Sequence, residues 1–357
     1  MKISDAKKCI RELYLNASCV TALVSERGVG KTSAYQQVAR ELGIDYMGLY
    51  AAALEGPDFM GLPDKDREKG LTRYLAPQFL PTVEAVREGI FKHKGLLVLE
   101  EINRVPSDTI SVLYPLLLEN RINGHKLAEG WKIGVTMNPD TMNYAVNSLD
   151  DAMLDRFVTI EVNPNIDDYI EYSLDNGPND LVLNYLSAIP DMLLAVKGRA
   201  DSTAGNKAPT PRGWTRVQEL LNNCRLENRL MLELVSGIIG PEAAASFFGY
   251  MRNQDIAIPS ADKILNDYPS VRADIEGILE KGRIDILNVI IRRIVKVIAL
   301  DKVHLANADA FVKSLPDELK ILFFKTLIVK RSEDFQTLTD EMTTFEPMAD
   351  KIIELMK

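Results

Sequence analysis

"LVSERGVGKTSAYQ", residues 23–36, joins an apolar run to a helical pattern through two glycines and a lysine. Whether this is a phosphate cradle or an ordinary turn decides the fold. A phosphate-binding loop of the form G-x-x-x-x-G-K-[ST] needs glycine where backbone approaches phosphate, lysine for the terminal phosphates and a hydroxyl for magnesium. Gly30, Lys31 and Thr32 meet the last three requirements, and Ser25 stands at the first position. Upstream, "CVTALVS" at 19–25 reads as a buried strand after a short helical lead. Downstream, Ala34, Val38 and Leu42 recur at helical spacing, and Gly43 is placed to end that helix. Strand, glycine turn and helix are the setting such a loop requires.

Further strands are expected in "IDYMGLY" at 44–50, "GLLVLEEINR" at 95–104, "WKIGVTMNP" at 131–139 and "RFVTIEV" at 156–162. Alternation with helices predicts an α/β fold, a parallel doubly wound sheet whose ligands sit at the strands' carboxyl ends. Beyond Asn163 the pattern is helical. The expected divisions are an α/β nucleotide-binding domain over 1–164, a helical lid over 165–258 and a helical extension over 259–357. "GRADSTAGNKAPTPRG" at 198–213 reads as a loop ending where Thr210 caps a helix, Pro211 opens it and Arg212 lies in its first turn. Leu287, Ile290, Ile291, Ile294 and Ile298 fall on one helical face and read as core.

The 357 residues suit two or three domains, and 46% apolar with 26% charged residues reads as a soluble globular chain. A net charge of −9 argues against a surface built to neutralise nucleic-acid phosphates. Cys9, Cys19 and Cys224 form no C-x-x-C pair, so reduced thiols and a cytoplasmic location are expected. The N-terminus lacks an apolar signal core, and no stretch reaches the roughly 18 apolar residues of a membrane span.

Glu100 and Glu101 end an apolar strand, where one carboxylate can hold magnesium-bound water and the other polarise the attacking water. Alone they read better as two solvated acids at a strand terminus; beside Lys31 and Thr32 they do not. Asn138, ending the next apolar strand, is placed to bind lytic water or γ-phosphate. Arg156 follows a short helix in "LDDAMLDRF" at 149–157, where Asp151 or Asp155 could pair with it. Arg212 could likewise be an ordinary surface cation.

These elements, in this order, resemble the AAA+ ATPases. "LVLEEINRVP", "LLLENRINGHKLAEGWKIGVTMNP", "LDDAMLDRF", "PTPRGWTRV" and "FMGLPDKDREKGLTRYLAPQFLP" resemble its MoxR-like, dynein-related branch, from about residue 15 to about 255. The resemblance implies a P-loop NTPase sheet with helices on both faces, an α-helical lid, and ATP with Mg2+ as ligands. It implies that Arg27, Gly28, Val29, Gly30, Lys31, Thr32 and Ser33 bind nucleotide, with Lys31 on the β and γ phosphates and Thr32 and Glu100 on the metal. It makes Glu101 the catalytic carboxylate, Asn138 sensor 1, Arg156 a finger delivered to the neighbouring subunit and Arg212 sensor 2. Such proteins commonly form homo-hexameric rings that remodel protein complexes, often beside a von Willebrand factor A partner. The insertion 55–81 and a hairpin turned at Asn123-Gly124 are where the family places elements facing pore or partner, and Phe59, Met60 and Tyr74 are candidates to grip substrate or to pack the insertion.

Three positions depart from the pattern. Ser25 lacks glycine's tolerance of positive φ, at a cost of roughly 1–2 kcal/mol if that geometry is needed. Glu100 is one methylene longer than the usual aspartate. Pro115 predicts a kink or early end to the helix after the paired acids. A nucleic-acid motor and a non-hydrolysing nucleotide scaffold stand as alternatives to the ATP-driven chaperone.

Overall fold

The computed structural model describes residues 1–139, 149–195, 207–252 and 258–354. The chain divides into two units: Met1–Asp168 with Leu194–Gly213, and Tyr169–Leu193 with Trp214–Lys357.

In the first unit, α1 (Ile3–Asn16) leads into β1 (Val20–Val24), the glycine loop, α2 (Lys31–Glu41) and β2 (Asp45–Tyr50). An insertion follows, made of α3 (Gly56–Met60), the antiparallel pair β3 (Leu62–Asp66) and β4 (Leu71–Leu75), and α4 (Val83–Arg87). Then come β5 (Gly95–Glu100), α5 (Ser107–Glu119), the short pair β6 (Arg121–Ile122) and β7 (His125–Lys126), β8 (Trp131–Met137), α6 (Asp151–Leu154) and β9 (Phe157–Glu161).

Five of these strands form one parallel sheet in the order β2-β5-β8-β1-β9. Its two faces follow from strand alternation. Leu96 and Val98 of β5 pack with α1 and α2, whereas Leu97 and Leu99 pack with α5 and the insertion. This is the expected parallel α/β sheet, covered by helices on both faces. Each expected strand is present; β5 stops at Glu100, short of the stretch quoted for it, and the other ends fall within two residues of their sequence reading.

Gly43, at φ +66, ends α2, its N–H and that of Ile44 returning to Arg40 and Ala39 carbonyls. Asn123 and Gly124 both take positive φ and turn the β6–β7 pair, as Asn-Gly does when both central residues of a hairpin turn must be left-handed.

The early end expected at Pro115 is absent, and Phe59 takes the packing alternative. Pro115 does not shorten α5, which runs on to Glu119. Proline removes the bond to the Ser111 carbonyl, but both residues lie on the exposed face, where water replaces the lost donor. Phe59 is not available to grip anything: it is 1% exposed, edge-to-face with Phe79 at 5.8 Å. Tyr74, by contrast, is exposed on β4.

The second unit is helical among its described residues. α7 (Ile166–Asp175) runs into it, followed by α8 (Asp180–Ala188), α9 (Pro211–Asn223), α10 (Asn228–Ile239) and α11 (Pro241–Arg252). Tyr185 and Trp214 pack on Phe247 there, with ring centroids 5.2 and 5.7 Å from it. α12 (Ala261–Glu280), α13 (Ile284–Val297), α14 (Lys302–Ser314), α15 (Asp317–Lys330), α16 (Phe335–Asp340) and α17 (Ala349–Glu354) close a separate apolar core. Leu287, Ile290, Ile291, Ile294 and Ile298 are all buried in it, as their spacing predicts. Of the loop expected over 198–213, residues 198–206 lie outside the described residues.

Candidate functional site

The site grows from the carboxyl ends of β1, β5 and β8. β1 stops at Val24, and the chain turns through Gly28 (φ +75) and Gly30 (φ +112) into the first turn of α2. Both glycines occupy backbone that side-chain-bearing residues rarely adopt. Ser25 does not: among the described residues, positive φ outside glycine is confined to Glu101, Asn120 and Asn123. Its N–H bonds the Met137 carbonyl at 3.4 Å, extending the sheet by one residue. The cost reserved for Ser25 therefore does not arise.

Lys31 turns back over this loop and is nearly buried. Its Nζ donates to the Ser25 carbonyl at 2.6 Å, and to Ser25 Oγ, the Glu26 carbonyl and Asn138 Oδ1 at 3.3 Å each. Burial brings the ammonium down to about 8, with Glu101 and Glu26 opposing the shift and Arg212 adding to it. One position on, Thr32 Oγ1 donates to Glu100 Oε2 at 2.7 Å.

Glu101 leaves β5 in the left-handed region, φ +54, with its N–H on Thr136 Oγ1 at 3.0 Å. That turn sends neighbouring carboxylates different ways. Glu100 meets Thr32, while Glu101 Oε2 accepts the Tyr50 hydroxyl at 2.9 Å and Arg104 Nη1 at 2.7 Å. Burial alone would push the Glu101 carboxyl up; Tyr50, Arg104 and Asn138 hold it below the ordinary carboxylate value. Asn138 is 4% exposed. Asn103 fixes its backbone, donating Nδ2–H to the Asn138 carbonyl at 2.8 Å and accepting the Asn138 N–H on Oδ1 at 3.2 Å.

The structure thus brings Lys31, Thr32, Glu100, Glu101 and Asn138 together. Arg212 joins them through backbone: its N–H bonds the Gly28 carbonyl at 3.1 Å, and Thr210 Oγ1 caps the same helix start through Gly213 N–H at 3.0 Å. A Cβ on Gly28 would come within 3.1 Å of Thr210 Oγ1 and 3.2 Å of Arg212 Cβ. Arg27, Val29 and Ser33 complete the loop and the first turn of α2.

Arg156 is elsewhere. It precedes Phe157, which pairs with Val20 at the opening of β1, while the phosphate loop leaves the other end after Val24. Five residues of strand separate the two ends by about 16 Å. Arg156 Nη1 bonds the Ala152 carbonyl at 2.8 Å rather than either candidate aspartate. It lines a cleft of about 600 Å3 together with Cys19, Lys126, Trp131 and Lys132.

The sequence reading missed Tyr50, Asn103 and Arg104. Tyr50 ends the strand next to Glu100, so the strand-end logic that selected Asn138 applied to it as well. Asn103 and Arg104 follow the paired acids after Ile102, yet only the left-handed turn at Glu101 brings their side chains back to the site.

Chemically, the arrangement suits a polyphosphate with a divalent cation. Two positive-φ glycines and the open N–H groups of a helix start form an anion cradle. A hydroxyl and a carboxylate in contact are oxygen donors of the kind hard cations take. A lysine stripped of water holds charge beside them. The two carboxylates part, Glu100 meeting Thr32 and Glu101 meeting Tyr50 and Arg104, so that one could hold a metal while the other acts on water.

The sequence matches no described protein family, and no curated protein is similar to it in sequence. Among solved structures, the Holliday junction branch migration motor RuvB of Thermotoga maritima is 16% identical, covering 79% of this chain and 76% of its own, with a TM-score of 0.36. A Cytophaga hutchinsonii protein, provisionally assigned as an ATPase, is 13% identical over 71% of this chain and 90% of its own, with a TM-score of 0.35. Likenesses this distant carry no argument about what the site does. Among the described residues, no helix is long and apolar enough to cross a membrane.

Proposed function

We infer that this chain is a Mg2+-dependent ATPase of the AAA+ class, of MoxR-like type, working as a homo-oligomeric ring that remodels or activates a protein partner. The observation that carries the ATPase reading is the convergence of Lys31, Thr32, Glu100, Glu101 and Asn138 at three adjacent strand ends, with Thr32 and Glu100 in direct contact. Bound Mg-ATP supplies the scissile phosphoanhydride and the cation that offsets its charge. Lys31 holds the terminal phosphates, Thr32 and Glu100 hold the metal, and Asn138 orients the water. Glu101 accepts that water's proton on its carboxylate.

Arg156 supports the ring reading. It lies at the opposite end of β1 from its own loop, so an arginine acting in hydrolysis serves a neighbouring subunit's site. Arg212 serves its own, through the helix start pinned to Gly28. A client complex, and a von Willebrand factor A protein beside it, belong to the same proposal.

The test is phosphate release from ATP with and without Mg2+. The wild type turns over only with Mg2+, and Lys31→Ala loses both binding and turnover. Tight Mg-ATP binding with no release by the wild type at any protein concentration would favour a nucleotide-dependent scaffold instead.

A further inference from the structure

α13 has two unlike buried faces. Ile286, Leu287, Ile290, Ile291 and Ile294 close the core of the C-terminal helices. On the other side Asn288, Val289, Arg292, Arg293 and Lys296 recur at helical spacing, and Val289, 1% exposed, takes no part in that core.

The second face meets α7 and α8. Arg293 Nη1 reaches Asp180 at 2.7 Å, Arg292 Nη1 reaches Glu171 at 3.0 Å, and Lys296 Nζ reaches Asp175 at 2.8 Å. Lys330 of α15 joins Glu171 as well. Just before α13, Arg283 donates to the Tyr250 hydroxyl of α11 and lies 5.3 Å from the centre of its ring. In the α7–α8 contacts the acids come from those helices and the cations from α13 and α15.

Between these pairs the seam is buried and poorly satisfied. Asn184 and Ser187 lie one and two turns along α8 from Asp180, and Asn288 one turn before Arg292. The amide nitrogen and oxygen of Asn184, Ser187 Oγ, Asn288 Oδ1 and Arg293 Nε are buried without a hydrogen-bond partner among the described residues. Each such atom, stripped of water and left unpaired, is costly in a permanent core. Polar, ion-paired contacts of this kind characterise interfaces that open, whereas the packing to either side is apolar.

We propose that this seam is a separable joint: the helices from Ala261 to Ile352 dock as one module on the acidic stripe of α7 and α8, and undock without melting either apolar core. Opening lets water reach the unsatisfied amides, and on α13 it uncovers one apolar residue, Val289, among Asn288, Arg292, Arg293 and Lys296.

Amide hydrogen exchange of the full chain tests this. In the wild type, rising NaCl weakens the ion pairs, and the amides of α8 and α13 exchange faster while β1, β8 and α14 hold their protection. Arg293→Glu places like charges opposite Asp180 and accelerates exchange in both helices by about tenfold or more, the effect of losing one charged hydrogen bond. The swap Asp180→Arg with Arg293→Asp restores slow exchange. Exchange in α8 and α13 unmoved by salt and by Arg293→Glu overturns the proposal. So does loss of protection spread evenly over all helices and strands, which would mean that the seam opens only by global unfolding.

Discussion

Asn103 and Asn138 grip each other through a side chain and a backbone: the Asn103 amide donates to the Asn138 carbonyl at 2.8 Å and accepts the Asn138 N–H at 3.2 Å. Both residues are buried, and Asn138 Oδ1 meets Lys31 on the other side. Asn103 is thus a positioning residue that acts through Asn138. Asn103→Ala leaves two backbone groups without partners, a cost of about 1–3 kcal/mol each if water cannot reach them, readable by denaturant unfolding. Phosphate release should fall by tenfold or more while the Mg-ATP dissociation constant changes by less than threefold, the mark of lost orientation rather than lost binding. Equal losses in both would make Asn103 a merely structural residue.

Lys31 gives a pH signature. Free, it titrates at about 8 because burial disfavours its charge. Phosphate contact favours the charged form and raises that value. Above pH 8, binding therefore takes up a proton at Lys31, and affinity falls as pH rises. Calorimetry at pH 8.5 in buffers of different ionisation enthalpy should report uptake of a substantial part of one proton, shrinking towards none at pH 6.5. Proton release at pH 8.5 would contradict the assignment.

The two carboxylates are assigned by direction. Glu101→Gln should retain nucleotide and lower kcat by about 10²–10⁴, the usual contribution of a general base. Glu100→Gln should chiefly raise the Mg2+ concentration needed for half-maximal rate. Arg104→Ala removes a group that keeps Glu101 ionised, so the acid limb of the kcat profile should move to higher pH. A reversal of the two Gln phenotypes would place the catalytic carboxylate one residue earlier.

Arg156 makes a claim about assembly. Arg156→Ala should slow hydrolysis by about 10³–10⁵ with nucleotide binding intact. Mixing it with Glu101→Gln should restore turnover, since some interfaces then join an intact finger to an intact carboxylate. Absence of recovery at every ratio, with co-assembly verified by light scattering, would place Arg156 in its own domain's architecture.

Much of the α/β unit was readable because strand, loop and helix there follow local rules: β-branched runs, glycines at forced φ, a hydroxyl cap at Thr210. The site's acids and Asn138 were readable for the same reason, as strand ends. What local pattern could not show was the left-handed turn at Glu101, which no composition rule demands and which brings Arg104 back onto its carboxylate. Pro115 misled because a helix-breaking residue was judged without knowing which face it occupied. Phe59 stayed open between two readings, since an apolar residue in an insertion looks the same whether it grips a partner or fills a small core.

Gly28 and Gly30 differ in what selection permits. At Gly30 a side chain would meet nothing within 4 Å, so only backbone conformation resists replacement. At Gly28 conformation and crowding resist together, because Thr210 and Arg212 occupy the space a Cβ would take. A drift at position 28 therefore requires a matching change some 180 residues later in the chain, whereas position 30 is held by its own backbone alone. Natural variants of this sequence should keep glycine at 30, where φ +112 strains any side chain, and change 28 only with altered residues at 210 or 212.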